Sequence, residues 1–152
     1  MHPVRLASVD DAPQAARLLH DFNTEFGSPT PGPAALERRL RPLLSSDSTL
    51  AWLGGEPPVG IALATLRTNV WSDGPVCLLD EMYVAPESRG QGIGSALIGA
   101  LLATASAERW ALVEINVDEF DRDARRFYER HGFVNSEPGS DERALYYWRE
   151  PD

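Results

Sequence analysis

The stretch with the most chemistry in it is Arg89-Gly90-Gln91-Gly92-Ile93-Gly94-Ser95. Glycines at alternate positions let the backbone turn tightly and let a ligand approach it closely. The residues that follow are helix formers, so the loop opens a helix. The first N–H groups of a helix converge on one spot, with the positive end of its dipole behind them. That is a cradle for a phosphate or pyrophosphate that needs no lysine. Arg89 adds a cation able to pair with a phosphate oxygen. Two common phosphate loops do not fit. A Walker loop requires Gly-Lys-Ser/Thr, and this chain has no lysine. The glycines are spaced two and two rather than the two and three of a dinucleotide fingerprint, and a run of strands precedes them.

A loop of this kind needs elements to hold it. A first strand is expected at residues 4–7, then a helix capped by Asp10 or Asp11 with Ala12, Ala15, Ala16, Leu19, Phe22 and Phe26 on its apolar face. Pro33 suits the first turn of a second helix, whose apolar side is Leu36, Leu40, Leu43 and Leu44, and Pro42 should kink or shorten it. Strands are expected at 49–53, 59–68 and 76–84, with a hairpin through residues 54–58. A helix from 92 to 107, a strand at 111–117, a helix at 121–131 ended by Gly132, and two last strands at 133–136 and 144–148 complete the order. Three successive strands predict an antiparallel meander, and the strand–helix–strand unit after them predicts one parallel crossover. The expected fold is α/β (α+β): a mixed, mostly antiparallel sheet of about six to seven strands with helices on both faces.

Size and composition bound the rest. A chain of 152 residues with 43% hydrophobic side chains suits one compact domain over residues 1–152. Cys77 is the only cysteine, so an internal disulfide or a cysteine-rich metal site is excluded. No apolar run reaches the ~20 residues of a membrane span, and the first residues lack a secretory core, so a cytoplasmic protein without a membrane partner is expected. The net charge of -9 provides no broad basic face, so nucleic acid is not expected as a partner. An acidic surface favours cationic small molecules. His20 and His131 have no second ligand at metal spacing, so no metal is expected.

The strand before the loop reads Asp80-Glu81-Met82-Tyr83-Val84-Ala85-Pro86-Glu87, and with Arg-x-x-Gly-x-Gly it resembles the acetyl-CoA motif of the GNAT superfamily of N-acetyltransferases. Asp121-x-x-Ala124-x-x-Phe127-Tyr128-x-x-x-Gly132-Phe133 is similar to that family's second signature, at a fitting distance along the chain. The first segment is also similar, less specifically, to the diamine (spermidine/spermine) acetyltransferases. The resemblance implies the GNAT fold and an N-acetyltransferase with acetyl-CoA as co-substrate. The acetyl group would pass directly, in a ternary complex, to the primary amine of a small cationic acceptor. A protein or peptide amine is the runner-up, and a non-enzymatic acyl-CoA sensor of the same fold is the rival from another class.

The same resemblance assigns roles. Arg89, Gly90, Gln91, Gly92, Ile93, Gly94 and Ser95 would hold the pyrophosphate, while Met82, Tyr83 and Val84 would offer strand-edge groups to the pantetheine arm in a gap between two splayed parallel strands. Asp121, Ala124 and Arg125 belong to the cofactor side, with Arg122 and Arg126 close by in sequence. Asp121 stands where many relatives have asparagine, and an ionised aspartate cannot donate a hydrogen bond. Glu81 is the candidate base, directly or through water. Asp80 is the alternative, since a bulge in the strand could bring both carboxylates to the site. Tyr128 is the candidate acid for the departing thiolate. Asp21, Asn23 and Glu25, with Asp118, are the candidate acceptor-binding groups; Trp52 and Trp71 either line the pocket or pack in the sheet. Dimers are common in the family, so a homodimer is expected, with Tyr146, Tyr147 and Trp148 as candidate contacts.

Overall fold

The structure is a computed structural model describing residues 2–152, and it divides into a larger unit ending at Glu114 and a smaller one, Ile115–Asp152. The larger unit is built on a five-stranded sheet in the order β1 (Val4–Leu6), β2 (Thr49–Gly54), β3 (Gly60–Arg67), β4 (Val76–Val84), β5 (Leu112–Glu114). The first three pairings are antiparallel and β4–β5 is parallel, as the meander and crossover require. Between β1 and β2 run α1 (Ala12–Glu25) and α2 (Pro33–Leu44), and α3 (Ile93–Ala107) makes the crossover.

Alternation along the strands puts the helices on opposite faces. Leu53, Ile61 and Tyr83 form one buried cluster with Ala12, Ala15, Ala16 and Leu18 of α1 and Leu40 of α2. The other face carries Gly54 and Gly60, where an added Cβ would meet Ile93 and Leu97 of α3 at 2.9 to 3.4 Å. Small residues there let α3 lie close on the sheet. Within α1 the buried stripe includes Leu18, and Phe26, expected on it, is 59% exposed because the helix stops at Glu25. Asp11 starts α1 indirectly. Its carboxylate accepts from the Ser8 N–H at 2.8 Å and from both Arg5 guanidinium nitrogens at 2.8 Å, which fixes the turn between β1 and the helix. Pro42 lies inside α2, which ends two residues later. In the last turn the missing N–H costs one bond rather than breaking the helix.

The smaller unit holds α4 (Arg122–Arg130). Asp121 caps it by accepting the Ala124 N–H at 3.0 Å. Gly132, at φ 89°, ends it, and the Phe133 N–H returns to the Tyr128 carbonyl at 3.0 Å. Phe127, Tyr128, His131 and Phe133 pack ring against ring, with centroids 4.7 to 5.6 Å apart. The two last strands expected at 133–136 and 144–148 are absent among the described residues; only the bridge Ser136↔Arg143 forms. A strand needs a hydrogen-bonded neighbour as well as a β-favouring sequence. Leu145, Tyr146, Tyr147 and Trp148 instead stand 66 to 84% exposed. The sheet therefore has five strands, not six to seven.

Candidate active site

The site is organised by β4. Its register with β3 shifts between Leu63↔Glu81 and Ala64↔Leu79, which leaves Asp80 as the extra residue of a bulge. A bulge changes which face each side chain takes. Leu79 follows Ala64 to one face and is 1% exposed, whereas Glu81 follows Leu63 to the other. There Glu81 and Leu63 form part of the wall of an open cleft of about 230 Å³, lined also by Leu19 and Asn23 of α1, by Leu36, Arg39, Leu40 and Leu43 of α2, and by Thr30 and Pro31 between them. Burial, and secondarily the neighbouring Asp80, pushes the Glu81 carboxyl above the usual carboxylate range. Asp80 does not line this cleft; it is exposed and accepts a hydrogen bond from the Thr65 hydroxyl.

Beyond the bulge the other edge of β4 opens. Pairing with β5 covers only Val76, Cys77 and Leu78, so from Leu79 to Val84, past Met82 and Tyr83, no parallel strand is paired to it among the described residues. That edge leads through Pro86–Ser88 into the glycine loop. Gly90 and Gly92 have φ of 75° and 87°, left-handed values that favour glycine. The first bond of α3 runs from the Ala96 N–H to the Gly92 carbonyl at 3.0 Å, so the amides of Ile93 and Gly94 precede the helical ladder. An added Cβ at Gly90 would meet nothing within 4 Å, so the loop stands open to a ligand. An unpaired strand edge running into an open helix N-terminus fits an extended arm that ends in a pyrophosphate, as acetyl-CoA has. Gln91 helps shape the loop by donating to the Glu87 carbonyl at 3.3 Å, and Ser95 lies in the first turn of α3.

Arg89 is tied down. Its guanidinium donates to Glu25 at 2.7 Å and to the Val84 carbonyl at 2.9 Å, and lies 5.6 Å from the Tyr83 ring centre. The Tyr83 hydroxyl donates to the same Glu25 carboxylate at 3.2 Å, and its ring stacks on Phe22 at 5.2 Å. The Arg89 hydrogen bond holds Glu25 below the usual carboxylate range. The end of α1 is thus pinned to the start of the glycine loop, a link that the two separate sequence readings of Glu25 and Arg89 did not join. Asn23 donates to the Pro29 carbonyl at 2.8 Å and also borders the cleft, while Asp21 is exposed and outside its lining. Trp52 is 2% exposed within β2 and packs in the sheet; Trp71 is 92% exposed in the β3–β4 connection and does neither of the two things expected of it, because Asn69 turns that loop outward by accepting the Trp71 N–H at 2.8 Å. Cys77 is fully buried, and burial raises its thiol pKa to about 11, so it is a core residue and no nucleophile.

Asp121, Ala124, Arg125, Tyr128 and Asp118 lie in the smaller unit. Asp121 and Ala124 form the cap described above, Arg125 donates to the Glu119 carbonyl at 3.0 Å, and Asp118 is exposed, its carbonyl accepting the Asp121 N–H at 3.0 Å. Tyr128 is 8% exposed. Among the described residues no cluster of His, Cys, Asp or Glu could hold a metal ion, and no helix is long and apolar enough to cross a membrane.

Residues 15–133 match the acetyltransferase (GNAT) family model. The chain belongs to the GNAT acetyltransferase family. It is an N-acetyltransferase of a family whose members use acetyl-CoA as co-substrate. A candidate acetyltransferase from Arthrobacter sp. FB24 is 51% identical, with 97% of this chain and 95% of that one covered and a TM-score of 0.92. An aminoglycoside acetyltransferase from an uncultured soil metagenomic sample, in complex with sisomicin, is 18% identical over 99% and 97% of the two chains at TM-score 0.81. AAC(6')-Iy in complex with the bisubstrate analogue CoA-S-monomethyl-acetylneamine is 16% identical over 99% of each at 0.76. These last two establish likeness of fold. For this GNAT acetyltransferase, what the motifs did not reveal is the cleft. Leu19, Leu36, Leu40 and Leu43 read as apolar helix faces until α1, α2 and β3 are placed together, and Leu63 and Arg39 carry no signal of their own. No signal in one linear segment could have found it.

Proposed function

We propose that the protein moves the acetyl group of acetyl-CoA directly to the primary amine of a small cationic acceptor. The observation that carries the reading is the arrangement along β4: a half-buried carboxylate, Glu81, on the cleft face, and a free strand edge leading into the open glycine loop. A carboxylate raised by desolvation is closer in proton affinity to its task as a base near neutral pH. Glu81 takes the proton from the acceptor ammonium, directly or through water, and Asp80 is the alternative. A strand N–H near Met82 or Tyr83 meets the developing oxyanion, and Tyr128, by its place in the second motif, gives the proton to sulfur. The buried Cys77, its thiol pKa raised to about 11, supports direct transfer over an acetylated enzyme. Asp21, Asn23, Glu25 and Asp118 remain proposed acceptor-side groups, and Ser95, Asp121, Ala124 and Arg125 proposed cofactor-side groups.

Both motifs lie within the matched span 15–133, which supports a single acetyltransferase domain over residues 1–152. A net charge of -9 supports small cations rather than nucleic acid as partners. A cytoplasmic location is proposed along with this reading. Calorimetric titration with acetyl-CoA, CoA and dephospho-CoA, followed by thiol release with an amine panel, tests the reading. One saturable site per chain and thiol release with a small amine are expected. Binding without release for any amine would leave an acyl-CoA sensor, and release with peptides alone would move the acceptor to protein.

A further inference from the structure

We infer that the acceptor is a primary monoamine on a compact apolar body, an arylalkyl or branched alkyl amine, rather than a polyamine or an aminoglycoside. This rests on the acetyltransferase reading and narrows it. The wall beside Glu81 is mostly apolar, five leucines and Pro31 against the neutral polar Asn23 and Thr30, and Glu81 is the one carboxylate among the lining residues. At about 230 Å³ the cleft is smaller than the ~300–1,000 Å³ of pockets for drug-sized ligands, which suits one ring or a short branched chain. A second buried ammonium needs a second carboxylate, and neither acidic candidate of the larger unit, Asp21 or Glu25, is among the lining residues. Glu25 is already held by Arg89 at 2.7 Å and by the Tyr83 hydroxyl at 3.2 Å, and Asp21 lies outside the lining. The other charged group on the wall is a cation, Arg39, exposed and in no ion pair among the described residues. It repels a further ammonium from the mouth of the cleft.

In the reaction so placed, one ammonium proton passes to Glu81, the nitrogen–carbon bond forms as the carbon–sulfur bond of the thioester breaks, and the second proton lost by nitrogen ends on the CoA sulfur. The apolar body stays against the leucines throughout, so its burial sets specificity. Each methylene added to an alkylamine should raise kcat/KM about fourfold until the cleft is full.

The test compares 2-phenylethylamine, 3-methylbutylamine, spermidine and kanamycin by thiol release from acetyl-CoA, and by the shift each produces in the melting temperature of the protein without acetyl-CoA. Phenylethylamine or methylbutylamine should exceed spermidine and kanamycin by about tenfold or more in kcat/KM and give the larger melting shift. Leu43→Glu, at a wall position already 44% exposed, should cut that preference about tenfold, and Arg39→Glu, at an exposed rim position, should improve spermidine. A preference for spermidine or kanamycin, or a preference ratio that neither variant changes, overturns the inference while leaving the acetyltransferase reading intact. Thiol release with no amine at all overturns the acceptor reading; the melting shifts then decide the cleft alone, and equal or absent shifts for the monoamines refute it.

Discussion

At the scale of single residues, Glu81 combines a cost to folding with a use in chemistry. Burial raises its carboxyl pKa above the unfolded value, so ionising it in the folded state is unfavourable, and the associated stability is lost as pH rises through the folded pKa. Glu81→Gln removes that cost. It should hold or raise the melting temperature at pH 8 while lowering kcat/KM about 100-fold or more, a split that a merely structural carboxylate would not produce. Calorimetric melts beside steady-state rates read both quantities. Asp80 contributes to the same shift by like-charge repulsion. Asp80→Asn should therefore move the acidic limb of the rate profile to lower pH. Desolvation, the larger cause, remains, so the limb should not return to the ordinary carboxylate position. A limb that stays fixed in both variants would remove Glu81 as the titrating base.

At the scale of elements, the loop and the turn before α1 carry the testable weight. Gly92, at φ 87°, has only His2 at 4.0 Å from a built Cβ, so its need for glycine is conformational rather than steric. Gly92→Ala should cost about 1–2 kcal/mol in stability and weaken CoA binding, because the amides after it would turn out of alignment; denaturant melts and calorimetry check the two separately. The Asp11 carboxylate, lowered to about 2 chiefly by its hydrogen bonds from Arg5, fixes the entry into α1. A depressed acid stabilises above its unfolded pKa, near 3.9. That contribution should be present at neutral pH and vanish between about pH 4 and pH 2. Asp11→Asn should flatten the acid side of the stability curve and cost on the order of 1–2 kcal/mol at pH 7, with Arg5 half exposed and screened.

At the scale of the whole molecule, the last residues raise the question of partners. Leu145, Tyr146, Tyr147 and Trp148 form a run of large apolar side chains, each at least 66% exposed. Single exposed apolar residues are ordinary, but a contiguous run marks a contact surface. The proposed homodimer would bury it against a second copy. Sedimentation should give twice the 16.7 kDa chain mass, and Tyr147→Glu with Trp148→Glu should return it to the single-chain mass without unfolding the larger unit. A wild-type monomer at high micromolar concentration would dispose of the pairing.

What the sequence determined by itself is whatever depends on neighbours along the chain. The glycine loop, the helix stop at Gly132, the meander and the crossover all follow from local conformational preference and from periods of 2 and 3.6. A bulge in this strand was expected only as a way to bring both carboxylates to the site; it forms at Asp80, and only Glu81 lines the cleft. The tertiary structure decided what depends on residues far apart. Glu25 and Arg89 meet across 64 positions, and the cleft gathers side chains from α1, α2, β3 and β4. A leucine in a helical stripe carries the same local signal whether it fills a core or lines a cavity, and only packing distinguishes them. The same reason explains the last strands: residues 144–148 have the composition of a strand, but a ladder belongs to two segments, and the sequence of one cannot name the other.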